Sequence, residues 1–217
     1  INYYLYLSAV KAGVHFFSAE GETAMQRCGW VSQDPLYIEY HDTEWGVAQK
    51  EGRQLFEMIC LEGQQAGLSW ITVLKKRQNY RQAFHQFDPV RVAAMGDDDI
   101  ERLLQDTGII RHRGKIQAII GNARAYLAME ENGESFTDFV WSFVDNAPQV
   151  TRAATLAEIP ATTPASDALS KALKKRGFKF VGSTICYAFM QACGLVNDHV
   201  TGCFCHPGGH HDPQMAK

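Results

Sequence analysis

Apolar residues recur at three- and four-residue intervals through most of this chain, and no stretch alternates convincingly over strand length, so the pattern predicts a helical fold. In 53–64, Leu55, Phe56, Ile59 and Cys60 fall on one side of a helix. Ser69 is placed to cap a second helix that carries Ile71, Val73, Leu74 and Tyr80 and runs to Phe84. Asp88-Pro89 marks a fresh start, with proline at the first helical position, and Asp97 opens a short helix through Leu103 and Leu104. The run 115–129 puts Ile116, Ile119, Ile120 and Tyr126 on a core face and has Gly133 just past its end. An aromatic helix over 135–144 follows; then 151–164, rich in Ala, Thr and Pro, reads as a surface connector. Beyond it stand two linked helices, 166–176 ended by Gly177 and 181–193 ended by Gly194. No internal repeat or low-complexity segment interrupts this order.

Composition adds limits. With 217 residues, 46% hydrophobic and 21% charged, the chain can bury a substantial core, and nothing suggests disorder. A net charge of −3 gives no global attraction to nucleic acid or to a membrane surface, so an anionic partner must be met by local patches. Three are present: Lys75-Lys76-Arg77, Arg111-His112-Arg113 with Lys115, and the basic stretch 171–179. Six cysteines in a large helical chain point to a reducing cytoplasm rather than to a disulfide scaffold. The apolar run at 3–7 lacks a basic flank and is far too short to span a bilayer. Residues 1–24 read as an extension ahead of Met25, 25–205 as a single all-helical domain, and 206–217 as a flexible tail.

Candidate chemistry concentrates in three places. Near the end, Asn197-Asp198-His199-Val200-Thr201-Gly202-Cys203 carries a His and a Cys four positions apart, and Cys28 with His41 upstream supplies the same two ligand types. Cys2His2 is a closed tetrahedral set suited to a structural Zn²⁺. A surface histidine, a buried thiol, or loose metal binding by Cys205, His206, His210 and His211 are the competing readings. Second, Lys174-Lys175-Arg176-Gly177-Phe178-Lys179-Phe180-Val181-Gly182 places two glycines five apart between helices, the shape of a helix-hairpin-helix. Its helix-start amides can hold a phosphate oxygen with Lys and Arg around it, whereas two packed helices with a solvated rim is the plain alternative. A P-loop is excluded, since Ser183 follows Gly182 with no intervening Lys. Third, Trp30, Tyr37, Tyr40, Trp45 and Trp70 cluster in sequence around Leu61-Glu62-Gly63-Gln64-Gln65-Ala66-Gly67-Leu68-Ser69-Trp70. Such rings stack on an unpaired base or build a core, and Glu62 can accept from an exocyclic amine while favouring a cationic ring. Gly67-Leu68 offers one apolar side chain on a glycine-flanked loop, a candidate wedge for a base stack.

Taken together, Arg27-Cys28-Gly29-Trp30, Tyr40-His41-Asp42-x-Glu44-Trp45-Gly46, the 61–70 segment, Ile109-Ile110-Arg111-His112-Arg113-Gly114-Lys115-Ile116, 174–182 and Asn197-Asp198-His199-x-x-x-Cys203 resemble the bacterial 3-methyladenine DNA glycosylase I family. The resemblance runs from about Met25 to Cys203 without a missing block. It implies an all-α helix-hairpin-helix glycosylase fold, with one structural Zn²⁺ on Cys28, His41, His199 and Cys203 joining the N- and C-terminal segments. It implies that Glu62, Tyr40 and Trp70 contact the excised base and act at the reaction centre through Glu62, with Tyr37 and Trp45 lining the pocket. DNA contacts are expected from Gly67, Leu68, Lys174, Gly177, Lys179 and Gly182, and Lys115 joins Lys179 as a phosphate candidate.

The implied reaction is hydrolysis of the N-glycosidic bond of 3-methyladenine in double-stranded alkylated DNA by a monomeric enzyme, leaving an abasic site with no lyase step and 3-methyladenine as product. Many relatives in the superfamily use an aspartate beyond the hairpin. Asp198 lies near that place but adjoins His199, and this family is understood to lack that aspartate, so Asp198 is not assigned as a base. Two rival readings stand beside this one: a noncatalytic zinc-stapled DNA-binding module, and a catalytic metal of the deaminase kind. The second lacks its His-x-Glu and Pro-Cys-x-x-Cys pattern.

Overall fold

The structure, a computed structural model, describes residues 26–208. The expected extension 1–24 and most of the expected tail, 209–217 with His210 and His211, lie outside the described residues.

A helix the hydrophobic pattern did not reveal comes first, α1 (Pro35–Thr43). Asp34 caps it by accepting from the Leu36 amide at 3.0 Å and Pro35 occupies its first turn, the same Asp-Pro signal that was legible at 88–89. Then follow α2 (Gly52–Gln64), α3 (Trp70–Ala83), α4 (Pro89–Ala93), α5 (Asp97–Leu103), α6 (Arg113–Glu131) and α7 (Phe136–Trp141). Ser69 stands at the N-cap of α3, but its hydroxyl pairs with that of Thr72 at 2.7 Å instead of an amide. On α2, Leu55, Phe56, Ile59 and Cys60 are fully enclosed, packed with the Ile116, Ile119 and Ile120 stripe of α6 in one core.

Just ahead of the connector stand two residues of strand, β1 (Gln149–Val150), paired in parallel with β2 (Val196–Asn197), where the sequence suggests no strand. The pairing is short because it is a junction: Gln149 donates to the Leu195 carbonyl at 2.9 Å, Thr151 to Asn197 at 3.1 Å, and Thr201 to Ala153 at 2.9 Å. These bonds fix the segment that carries His199 and Cys203. His206, the first residue of the expected tail, is buried and bonded to the Thr151 carbonyl at 2.9 Å.

The last helices are α8 (Pro164–Lys175), starting two residues ahead of the expected position, and α9 (Ser183–Ala192). Thr163 and Ser166 cap the start of α8 reciprocally, with Pro164 in the first turn. Between the helices, Gly177 takes φ +92°, a conformation that a side chain would strain, and lets the chain reverse within 176–182. Phe178 and Val181 turn inward while Lys179 and Phe180 face out. Among the described residues no helix is long and apolar enough to cross a membrane.

Candidate functional site

Four ligand-type side chains converge from the two ends of the described chain. Cys28 lies ahead of α1, His41 in its last turn, and His199 and Cys203 follow β2; all four are at most 2% exposed, and their ligand atoms lie within 4.8 Å of one another. Cys28 Sγ is 3.5 Å from His199 Nδ1, and Cys203 Sγ is 3.4 Å from His41 Nε2 and 3.5 Å from His199 Nδ1. The outward ring nitrogens are held: His41 Nδ1 meets Asp42 Oδ1 at 2.8 Å, and His199 Nε2 meets the Trp45 carbonyl at 2.9 Å. Arg27 clamps Asp42 through Nε and a terminal nitrogen at 2.8 and 2.7 Å. Fixed outer partners of this kind aim the opposite nitrogens inward, as a metal site requires. The Cys203 thiol is pushed down, toward thiolate, by hydrogen bonds with Cys205, Cys28, His199 and His41. Cys205 also forms a smaller cluster with His41 and Asp42. The four buried residues can hold a metal ion.

The same α1 turns Tyr37 and Tyr40 toward a second feature, a carboxylate enclosed by rings. Glu62, on α2, is 3% exposed, and its Oε2 has no hydrogen-bond partner among the described residues. Neither do the buried Nε1 atoms of Trp70 and Trp30. Native interiors leave few such groups, and three in one place mark a site for polar atoms from elsewhere. Burial pushes the Glu62 carboxyl up to about 8 and the Tyr37 phenol to about 12; Tyr40 is raised well above its ordinary value by burial and by the nearby Glu62 charge. Tyr40 and Trp70 have centroids 5.6 Å apart. Trp30 sits 4.9 Å from Tyr37 and 5.1 Å from Trp45. It stands among the clustered rings of the sequence, although the resemblance implies a place at the base only for Tyr37, Tyr40, Trp45 and Trp70 among them. Cluster and pocket share a wall, since Trp30 is 5.2 Å from the His41 ring and Trp45 is 4.7 Å from that of His199.

The third group is a surface. Gly67 is exposed and Leu68 half-buried on the turn after α2. Lys174, Gly177 and Lys179 are exposed, and Gly182 is the N-cap of α9. A groove of about 600 Å³ runs between α6 and the hairpin, lined by Gly114, Gln117, Gly121, Gly177, Lys179 and Phe180.

Other basic residues are already engaged. Lys75 pairs with Asp34 at 2.6 Å, Lys76 donates to the Thr107 carbonyl at 3.0 Å, and Arg77 takes both oxygens of Glu44 at 2.5 and 2.7 Å, so this run is not an open basic patch for an anionic partner. Lys115 is also not a phosphate ligand: it is 6% exposed and its Nζ donates to the Gln64 and Ala66 carbonyls at 2.8 and 2.6 Å. Asp198 is fully buried and accepts from Thr151, Tyr187 and Gln191 at 2.6 to 2.7 Å, which commits both oxygens to the fold.

These features define a helical protein with a buried Cys/His cluster beside a pocket whose unpaired polar atoms and rings suit a flat heterocycle. A family model for methyladenine glycosylase matches residues 30–206. DNA-3-methyladenine glycosylase 1 of Escherichia coli strain K12 is 79% identical over 184 residues, covering 85% of this chain and 98% of that protein. A crystal structure of 3-methyladenine DNA glycosylase I is 80% identical, with a TM-score of 0.83 and coverage of 84% of this chain and all of the other. A Staphylococcus aureus enzyme of that name, solved for the structural basis of 3-methyladenine recognition, is 38% identical, with a TM-score of 0.82 and coverage of 87% and 100%. The chain belongs to the methyladenine glycosylase family, and it is an enzyme of that class.

Proposed function

We infer that this enzyme excises 3-methyladenine from double-stranded alkylated DNA by hydrolysing the N-glycosidic bond. The observation that carries the reading is the Glu62 carboxyl, buried with its Oε2 unpaired near Tyr40, whose ring packs with Trp70 and Trp30 and their unpaired indole nitrogens. N3 methylation leaves the base cationic and already a good leaving group. A cation entering the pocket favours ionisation of Glu62, whose proton passes to water, and the carboxylate becomes an ion-pair partner whose Oε2 accepts from the exocyclic amine. Tyr40 and Trp70 supply ring faces, Tyr37 and Trp45 complete the walls, and the enclosed site positions a water to bond to the sugar carbon as its bond to the base breaks. The lesion reaches the pocket by leaving the stack, with Gly67-Leu68 filling the gap, while Lys174, Gly177, Lys179 and Gly182 hold the backbone near the first amides of α9. A lyase step needs a free amine; that of Lys115 is committed to two carbonyls. The domain is taken as 25–206, since His206 packs into it, acting as a monomer, and six uncrosslinked cysteines suit a reducing cytoplasm.

Zinc fits the Cys/His cluster. Tetrahedral Zn²⁺ with ordinary Zn–S and Zn–N lengths places S and N about 3.6 Å apart. Three of the four Cys–His separations here are 3.4 to 3.5 Å. Bound there by Cys28, His41, His199 and Cys203, the ion has four protein ligands and serves as a structural fastener.

The test is release of free base from methylated duplex DNA, with Glu62→Gln as control. Release of 3-methyladenine by the native protein, reduced at least about 100-fold in the variant while nonspecific DNA affinity holds, is the expected result. DNA binding without any base release by the native protein would make it a noncatalytic module instead.

A further inference from the structure

The basic motif at 109–116 is left unexplained by pocket, cluster and hairpin, and its lysine is the most unusual residue in it. Lys115 lies in the first turn of α6 with its ammonium buried, and its hydrogen bonds go to carbonyls instead of a carboxylate. Burying an ammonium this way is costly unless its donors are used. They are used where α2 stops. The chain leaves the helix after Gln64, where the Gln65 and Ala66 amides still reach the Glu62 and Gly63 carbonyls at 3.1 and 3.4 Å. The Leu68 amide turns to the Gln65 carbonyl at 2.6 Å, Gly67 takes φ +77°, and the Gln64 and Ala66 carbonyls both point to Lys115 Nζ. A positive charge is favourable at a helix C-terminus. The contact is reciprocal: Gln64 Nε2 donates to the Lys115 carbonyl at 3.2 Å, while Tyr80 donates to Gln64 Oε1 at 3.2 Å and accepts from the Ile110 amide at 3.1 Å. One ammonium therefore sets the peptide directly before Gly67-Leu68, two residues beyond the turn that carries Glu62.

We propose that Lys115 is a positioning residue for base extrusion, holding the Gly67-Leu68 loop in the pose that enters the duplex through its two bonds to the Gln64 and Ala66 carbonyls. This rests on the wedge reading of Leu68 given above. A methionine keeps the bulk of the side chain and loses both bonds; an arginine keeps two donors.

The experiment compares Lys115→Met, Lys115→Arg and Leu68→Ala in single-turnover excision from methylated duplex, in binding of free 3-methyladenine followed by tryptophan fluorescence, and in the salt dependence of binding to undamaged duplex. Lys115→Met is expected to slow excision by about 30-fold or more through misplacement of the loop, with free-base affinity within about twofold of native. Its salt slope stays unchanged, because no phosphate contact is lost. Lys115→Arg recovers much of the rate, and adding Leu68→Ala to Lys115→Met costs nothing further, since both remove the same action. A salt slope smaller by about one would show a phosphate contact and overturn the proposal. So would native excision by Lys115→Met, or a fall in free-base binding and thermal stability matching the fall in excision for both Lys115 variants. If Leu68→Ala excises normally, the wedge reading itself fails and the proposal with it; a slow Leu68→Ala beside a native Lys115→Met removes only the role of Lys115.

Discussion

Asn122 grips Lys179 by both backbone groups: its Oδ1 accepts from the Lys179 amide at 2.8 Å and its Nδ2 donates to the Lys179 carbonyl at 3.2 Å. The asparagine is 2% exposed on α6, so the hairpin is fastened to the central helix at the residue whose side chain faces out. Asn122→Ala leaves two backbone groups unpaired and should cost about 1–3 kcal/mol of stability. Titration with undamaged duplex should show weaker binding, whereas free 3-methyladenine should bind the Glu62 pocket as before. Equal losses in both assays would mean that the bond supports the whole fold instead of the hairpin.

Glu62 makes stability and activity depend on pH in opposite directions. Its folded value of about 8 lies above the ordinary 4.5, so between these values the native state holds a proton that the unfolded chain has released. Unfolding free energy should therefore fall as pH rises through this window, by a few kcal/mol in all, and Glu62→Gln should lack that part of the slope. Denaturant midpoints measured from pH 5 to 9 for both proteins test this.

Excision runs the other way. A cationic base prefers the ionised carboxylate, so kcat/KM should climb with pH and level off near 8 in the native enzyme, then lie flat in Glu62→Gln. A native profile without that rise would remove the ion pair from the mechanism.

Stripping metal from the Cys/His cluster should lower the melting temperature by at least about 10 °C, since binding free energy at such a site is folding free energy. Excision at low temperature by the chains that remain folded should persist. Turnover lost at unchanged melting temperature would make the ion part of the chemistry.

Asp198→Asn offers an amide where Thr151, Tyr187 and Gln191 all donate to a buried carboxylate. A loss of about 2–4 kcal/mol is expected, with the excision rate per folded molecule nearly native. A folded, stable variant that cannot excise would place Asp198 in the reaction after all.

Much of the helical order was legible because Leu55, Phe56, Ile59 and the Ile116-Ile119-Ile120 stripe keep strict helical spacing. The first helix was not, because Tyr37, Tyr40 and His41 make a polar-looking face that serves a site; only Asp34-Pro35 announced it. Distances in sequence hid the rest. The basic run at 75–77 reads as a free patch until folding brings Asp34, Glu44 and the Thr107 carbonyl to it, and Lys115 reads as surface until the end of α2 arrives. Periodicity reports which way a residue faces along its own helix, not what meets it there. Trp30 shows the same limit: its neighbour Cys28 drew attention to the cluster, while its role as a wall between cluster and pocket depends on Tyr37 and Trp45 folding against it.

The contact between Cys28 and His199 spans 171 positions. During synthesis the first half of the cluster leaves the ribosome long before the second, at about 5–20 residues per second, so Cys28 and His41 wait roughly ten seconds or more as an incomplete pair. His199 packs edge-on against the Trp45 and His41 rings, so the wall between cluster and pocket gains that neighbour only once residue 199 is made. A ribosome stalled before residue 199 would carry a chain whose Cys/His cluster lacks two of its four members.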